Sequence, residues 1–159
     1  MAIGNRNRHR REVMHGGAGI GAALCWAGAA LAQPAITDLG VIAGGTSTLA
    51  NGISADGSTV TGSCGTPSGG RAFRWTAGGG MQNLGLLPTG GTYSSGTGVS
   101  ANGSVVVGIS GASGNNNRAF RWTAATGMQS LGVLGSGAAS ASNAVSGDGS
   151  VVAGSSHTS

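Results

Sequence analysis

The segment Gly52-Ile-Ser-Ala-Asp-Gly-Ser-Thr-Val-Thr-Gly62 decides the fold, because it occurs three times along the chain at a fixed spacing. The second copy is Gly98-Val-Ser-Ala-Asn-Gly-Ser-Val-Val-Val-Gly108, and the third is Ala144-Val-Ser-Gly-Asp-Gly-Ser-Val-Val-Ala-Gly154. Each copy begins 46 residues after the one before it. A fixed period of this length is typical of proteins that are built from stacked structural repeats.

Two further segments recur in the same order. Arg71-Ala-Phe-Arg-Trp-Thr76 returns unchanged as Arg118-Ala-Phe-Arg-Trp-Thr123, and the pattern Gly-Met-Gln-x-Leu-Gly at 80–85 returns at 127–132. Leu39-Gly40 supplies an earlier copy of the last two residues of that pattern. The chain from 33 to 159 therefore divides into two and a half repeats, with the third truncated: about 39–83, 84–130 and 131–159.

Each repeat has the pattern of four short strands. The Asp-Gly or Asn-Gly pairs at 56–57, 102–103 and 148–149 predict two-residue type I′ hairpin turns, since both central positions of that turn have positive φ. Valine-rich strands follow these turns. The Gly-, Ser- and Asn-rich stretches Ser63–Gly70 and Gly111–Asn117 are expected to be variable loops.

The third strand of the repeat alternates in a way that assigns its two faces. Phe73 and Trp75 share one face, while Ala72, Arg74 and Thr76 share the other. Four antiparallel strands in a unit of about 45 residues predict an all-β fold that is β-propeller-like and incomplete. A β-solenoid is the alternative, and strand direction distinguishes the two, because solenoid coils run parallel. Open sheet edges would allow self-association.

Residues 1–32 have the three parts of a secretory signal peptide. A basic segment precedes an apolar run from Ala18 to Leu31, and the small residues Ala30 and Ala32 predict cleavage before Gln33. The apolar run is shorter than the roughly 20 residues that a membrane helix needs. We therefore expect an exported protein, extracellular, on the cell surface or in the periplasm, with no transmembrane segment in the mature chain.

The charge of the chain lies mostly in that leader. The formal net charge is +4, and the first twelve residues contain four Arg and one Glu. From Gln33 onward the chain is nearly neutral, which argues against nucleic-acid binding. This part has no Lys or Glu and a single His, so we expect no catalytic residues, no cofactor and no metal. Asp56 and Asp148 lack the spacing of a calcium loop, and Asn102 replaces them in the middle repeat, so a turn is favoured.

Arginine and tryptophan form the only chemically rich patches. Core packing between sheets is the favoured interpretation for the aromatic side chains, but the repeated pairs could also present a face for a carbohydrate or an anion. The candidate ligand-facing residues are Arg71, Arg74, Trp75, Arg118, Arg121 and Trp122. Cys64 has no nearby basic partner in the sequence, and it is interpreted as a packing residue or a free thiol.

The repeated segments resemble the HAF-type extracellular repeat of bacterial secreted and surface proteins. The likeness rests on 52–58, on the Arg-Ala-Phe-Arg-Trp-Thr segments and on Gly-Met-Gln-x-Leu-Gly, and it covers about 36–159. It implies export, β-rich repeats and occurrence in autotransporter-like passengers, but no catalytic residues. We therefore expect a non-enzymatic module that binds an extracellular ligand or surface. The alternative is a fragment of an exported propeller hydrolase or lyase whose catalytic residues lie in other repeats.

Overall fold

The computed structural model describes residues 36–112 and 116–157, and this part of the chain forms ten β-strands and no helix. The strands are β1 (Ser47–Ile53), β2 (Thr59–Thr66), β3 (Gly69–Thr76), β4 (Gly80–Gly85), β5 (Gly90–Val99), β6 (Val105–Ala112), β7 (Asn116–Thr123), β8 (Gly127–Gly132), β9 (Ala139–Val145) and β10 (Val152–His157). The predicted signal peptide, with Ala30, Ala32 and Gln33, lies outside the described residues. No described helix has the length and apolarity that a membrane crossing needs.

The strands form three sheets in chain order. Sheet one has the order β1-β2-β3-β4, sheet two has the order β5-β6-β7-β8, and β9 and β10 form a hairpin. All strand pairs among the described residues are antiparallel, which excludes the β-solenoid. The predicted all-β fold is therefore confirmed: it consists of four-stranded antiparallel units, it is propeller-like, and it is open.

The first turn of each unit is a hairpin of a different type from the one predicted. The N–H of Gly57 donates to the carbonyl of Ser54 at 3.0 Å, so Ala55 and Asp56 are the central residues and Gly57 follows them with a φ of 72°. The predicted type I′ turn is thus wrong. The Asp56 carboxylate accepts the N–H of Ser58. This bond holds Asp56 at the second central position of the turn, and Gly57, with its positive φ, follows it. Equivalent bonds join Gly103 to Ser100 and Gly149 to Ser146.

The stretch Ser63–Gly70, predicted to be a loop, consists mostly of strand. β2 continues to Thr66 and β3 begins at Gly69, which leaves only Pro67 and Ser68 between them. Small residues are common in loops, but here they also permit close approach, because β5 of the next sheet packs across β2 and β3. In the second unit, β6 extends to Ala112 and β7 begins at Asn116, so that stretch is also shorter than predicted.

An apolar cluster joins sheet one to sheet two. Phe120 and Trp122 of β7 pack there against Leu84, Leu87 and Ala72 of the preceding unit. Phe120 and Ala72 are fully buried, and the two leucines are nearly so. Burying a leucine or phenylalanine side chain in this way contributes roughly 1.5–3 kcal/mol. The favoured interpretation, that the aromatic residues of the repeat pack between sheets, is therefore confirmed for this interface.

A second cluster covers the opposite face of sheet one. Phe73 packs there against Ile42 and Cys64, and Trp75 and Leu39 lie at its edge. Leu39 and Ile42 stand in the repeat where Leu84 and Leu87 stand one unit later. The predicted alternation is correct, since Ala72 and Phe73 belong to different clusters. Each face of sheet one therefore carries a buried cluster, in which a phenylalanine of the repeat packs against apolar residues at equivalent positions.

Candidate functional site

The three tight turns lie in a row at one end of the sheets. The N–H of Ala55 donates to the carbonyl of Ala101 at 3.2 Å, and the N–H of Ala101 donates to the carbonyl of Gly147 at 2.9 Å. Both bonds join residues 46 apart, so the same turn position contacts its own copy in the next unit. Arg74 and Arg121 donate hydrogen bonds to carbonyls of this row of turns.

The second arginine of each Arg-Ala-Phe-Arg-Trp-Thr segment bonds to the turn of the following unit. Arg74 Nε donates to the carbonyl of Gly103 at 2.8 Å, and its Nη2 lies 3.5 Å from the hydroxyl of Thr59. Arg121 Nη2 donates to the carbonyl of Gly149 at 3.3 Å. Because a guanidinium has five N–H donors, most donors of Arg121 are not used by these contacts.

The first arginine of the segment also reaches forward along the chain. Arg71 Nη1 donates to the carbonyl of Thr92, just inside β5, at 2.7 Å. Arg118 Nη1 donates in the same way to the carbonyl of Ala138, just before β9. The four arginines therefore connect successive units, and their carbonyl partners lie 20 to 29 residues away, at positions that the sequence pattern did not reveal.

A repeated hydroxyl, which the sequence reasoning missed, completes the connection between units. Ser94 Oγ accepts the N–H of Ala72 at 2.9 Å and donates to the carbonyl of Gly85 at 2.6 Å. Ser140 makes the same two contacts with Ala119 and Gly132. Ser94 and Ser140 are 46 residues apart, so the period alone could have identified them. They did not stand out in the sequence because the chain contains many other serines.

The arginines that bond to the turns also line a cleft of about 450 Å³. The cleft brings together three of the six predicted ligand-facing residues, Arg74, Arg121 and Trp122. Its remaining lining residues are Gln82, Ser104, Val105, Thr123, Ala124 and Asp148. Because the lining carries two guanidinium groups, one carboxylate and the polar side chains of Gln82, Ser104 and Thr123, it suits a hydroxylated or anionic ligand.

The other three predicted residues lie outside this cleft. Arg71 and Arg118 bond to backbone carbonyls at the opposite end of their strands. Trp75 is half-buried against the cluster of Phe73 and Ile42. Trp122 is only 6% exposed, so it offers the cleft little surface. The ligand-facing chemistry of the cleft therefore comes mainly from the two arginines.

The carboxylates of Asp56 and Asp148 belong to the turns. Hydrogen bonds from the Ser54 hydroxyl, and from the N–H and hydroxyl of Ser58, lower the pKa of Asp56 from 3.8 to about 2. Ser146 and Ser150 lower the pKa of Asp148 to about 2 in the same way. Each carboxylate thus serves its own turn, as predicted. Among the described residues, no group of three or more His, Cys, Asp or Glu could hold a metal ion.

Asp38 and Cys64 each have a defined structural role. Asp38 Oδ1 accepts the N–H of Gly40 at 2.9 Å, and Asn83 and Ser130 make the same bond to Gly85 and Gly132. That position therefore supplies a hydrogen-bond acceptor in all three copies. Cys64 is fully buried beside Phe73, at the place that serines occupy in the later units, so it packs as an apolar residue.

Comparisons with known proteins add little to this description. No family model matches the chain, and no curated protein matches it. Among solved structures, TolB from Acinetobacter baumannii is similar to part of the chain, with a TM-score of 0.42 and 22% identity. That match covers 55% of this chain and 21% of the TolB chain. The chain therefore spans about one fifth of that protein, and the HAF-type resemblance stays a prediction.

Proposed function

We propose that the protein is an exported, non-enzymatic β-repeat module that binds an acidic carbohydrate in the cleft of Arg74 and Arg121. The observation that supports this proposal is the cleft of about 450 Å³, which holds two guanidinium groups beside polar side chains. Export is supported by the three-part pattern of residues 1–32.

The chemistry of the cleft favours an anionic sugar over a neutral one. A guanidinium binds a carboxylate through two parallel N–H donors, and within the part of the chain that the structure describes Arg121 donates to one carbonyl, that of Gly149. Asp148 is the one acidic group in the lining, and its carboxylate accepts hydrogen bonds from Ser146 and Ser150. The side chains of Gln82, Ser104 and Thr123 supply donors and acceptors for sugar hydroxyls.

The binding test uses an oligosaccharide of uronic acids and its neutral counterpart. We expect the acidic oligosaccharide to bind more tightly, with an affinity that falls as salt rises. Arg121→Gln should weaken this binding by about tenfold or more, because charged hydrogen bonds contribute about 1.5–3 kcal/mol. Arg118→Gln is the matched control, since Arg118 is the other arginine of the same segment and lies outside the cleft. Equal losses in both variants would contradict the proposal.

The same experiment separates a binding module from an enzyme. A non-enzymatic module releases the oligosaccharide unchanged after long incubation, as chromatography of the recovered sugar would show. Shortened or unsaturated products would instead support the exported hydrolase or lyase considered from the sequence.

Export is tested by sequencing the N-terminus of the protein that is recovered outside the cytoplasm. Cleavage after Ala32 predicts a chain that begins at Gln33. A recovered protein that begins at Met1 would contradict export through this leader.

A further inference from the structure

Asp148 places a carboxylate in the same cleft as the guanidinium groups of Arg74 and Arg121. The two cations and the one anion give the lining a formal charge of +1. Asp148 is exposed and lies in the turn between β9 and β10. The cleft therefore combines two groups that attract an anion with one group that repels it.

The turn uses the two oxygens of the Asp148 carboxylate unequally. Oδ1 accepts the hydroxyl of Ser146 at 2.6 Å, and it accepts the N–H and the hydroxyl of Ser150 at 3.0 Å and 2.8 Å. Within the part of the chain that the structure describes, Oδ2 accepts only that same Ser150 hydroxyl, at 2.9 Å. Because a carboxylate has about four lone-pair sites on its two oxygens, Oδ2 keeps a site for a further donor.

The negative charge of Asp148 persists beside the arginines. The hydrogen bonds from Ser146 and Ser150 lower the pKa of Asp148 to about 2, so the carboxylate is ionised at neutral pH. Arg121 donates to the carbonyl of Gly149, which is the next residue in the chain. A ligand in the cleft therefore meets a carboxylate and a guanidinium that are held by the same turn.

The middle unit shows that the turn does not need the second carboxylate oxygen. Asn102 stands in the repeat where Asp148 stands one unit later. Its Oδ1 accepts the hydroxyl of Ser100 at 2.9 Å, and it accepts the N–H and the hydroxyl of Ser104 at 3.1 Å and 2.7 Å. One oxygen thus closes the turn, and the Oδ2 of Asp148 can bind a ligand without loss of these bonds.

We propose that Asp148 determines the specificity of the cleft, because its Oδ2 accepts a sugar hydroxyl and its charge disfavours ligands more acidic than a uronic acid. This inference rests on the proposed function, in which the two arginines bind an acidic sugar. The carboxylate of a uronic acid pairs with a guanidinium, while a hydroxyl on the same ring donates to Oδ2.

Sulfated sugars are the ligands that this arrangement selects against. A sulfate ester replaces a hydroxyl donor with acceptor oxygens, so it has no hydrogen to give to Oδ2. It also brings an additional negative charge toward Asp148, and such a contact between like charges lowers the affinity for the wrong ligand. The two arginines alone would bind both kinds of acidic sugar, and Asp148 separates them.

The test compares two oligosaccharides of equal length, an oligouronate and a sulfated oligosaccharide without carboxylates. Their affinities for the whole protein are measured by titration calorimetry at one salt concentration, and the unchanged protein should prefer the oligouronate. Asp148→Asn keeps the Oδ1 bonds of the turn and replaces Oδ2 with an N–H donor. It should strengthen sulfated-sugar binding by about two- to fivefold, because one exposed like charge is removed. It should weaken oligouronate binding by about threefold or more, because the lost bond to a charged acceptor outweighs that relief.

Asp56→Asn is the matched control. Ser54 and Ser58 bond to Asp56 as Ser146 and Ser150 bond to Asp148, but Asp56 is not part of the cleft lining. The control removes the same charge from the same turn position, so it should leave both affinities unchanged. Equal urea midpoints of the two variants at neutral pH would show that any difference in binding does not come from unfolding.

The outcomes separate this inference from the proposed function. An unchanged preference in Asp148→Asn, together with weaker oligouronate binding in Arg121→Gln, would overturn the role of Asp148 and leave the proposed function standing. An equal change of preference in Asp56→Asn would also overturn it, because the effect would then come from net charge. Failure of the unchanged protein to bind either sugar would overturn both proposals.

Discussion

Replacing the equivalent leucines Leu87 and Leu134 with alanine tests whether units stabilise each other by packing. The two residues have the same place in the repeat, and each main-chain N–H donates to a serine hydroxyl, Ser110 in one case and Ser156 in the other. They differ in exposure, at 4% and 68%. Any difference in stability between the two variants therefore measures the contribution of sheet two, whose side chains cover Leu87.

The expected magnitudes follow from that difference in burial. Leu87 lies in the cluster with Phe120 and Trp122, and a leucine-to-alanine change in such a core costs about 2–5 kcal/mol of the free energy of unfolding. Leu134 is mostly in solvent, so its replacement should change stability by less than about 0.5 kcal/mol. Since the free energy of unfolding of a folded protein is roughly 5–15 kcal/mol, Leu87→Ala should remove a large part of the stability.

The assay is equilibrium unfolding in urea, followed by tryptophan fluorescence, with the midpoints of the two variants compared with that of the unchanged protein. Leu87→Ala should shift the midpoint clearly to lower urea, with little change in slope. Equal shifts for the two variants would refute the reasoning, because they would mean that sheet two does not cover Leu87 in solution.

Two further predictions concern the polar side chains that join and close the turns. Arg74→Ala should lower the free energy of unfolding by about 1–2 kcal/mol, since it removes a charged donor from the carbonyl of Gly103, and urea unfolding measures this loss. Asp56 and Asp148 have a folded-state pKa of about 2, below the usual 3.8, so their contribution is complete above pH 3.8 and is lost as pH falls through about 2. A double Asp→Asn variant should therefore lose less stability over this range, measured as urea midpoints at each pH.

Each of these predictions has a control in the chain. Gln129→Ala removes an exposed polar side chain whose carboxamide donates to the carbonyl of Thr126 three residues away, and it should cost less than about 0.5 kcal/mol. A loss for Arg74→Ala no greater than this would contradict a connecting role for the arginine. Asn102 occupies the Asp position in the middle unit, so asparagine is compatible with the turn. An unchanged pH profile in the double variant would contradict the assignment to Asp56 and Asp148.

Local features of the fold were predictable from the sequence because they depend on neighbouring residues. The Asp-Gly and Asn-Gly pairs marked the hairpins, and alternation in Arg71–Thr76 assigned Ala72 and Phe73 to opposite faces. The predicted turn type was wrong, because the Asp56 carboxylate accepts the N–H of Ser58, and this bond competes with the preference for positive φ. A prediction from the steric preferences of the backbone alone does not take that hydrogen bond into account.

Features that depend on the next unit were not predictable from one repeat. Alternation did not show that both faces of sheet one are buried, since Ala72 is covered by residues of β7. The Gly- and Ser-rich stretch from Ser63 to Gly70 was expected to be a loop, but it is mainly strand because β5 approaches it closely.

The candidate site was predicted by residue type but not by arrangement. Of the six residues proposed from the sequence, only Arg74, Arg121 and Trp122 meet in one cleft. The carbonyl partner of Arg74 is 29 residues away in the following turn, a distance at which the sequence gives no pairing signal. The residue types therefore indicated the chemistry, and the stacking of units determined which of them share a surface.

A double-mutant cycle between Phe120 and Leu87 tests most directly the claim that successive units are held together by the aromatic strand of one and the leucines of the other. The single variants Phe120→Leu and Leu87→Ala and the double variant are unfolded in urea under the same conditions. Because the two side chains share one cluster, their effects should be non-additive by about 0.5–3 kcal/mol. Effects that add to within about 0.3 kcal/mol would contradict the packing of sheet two on sheet one.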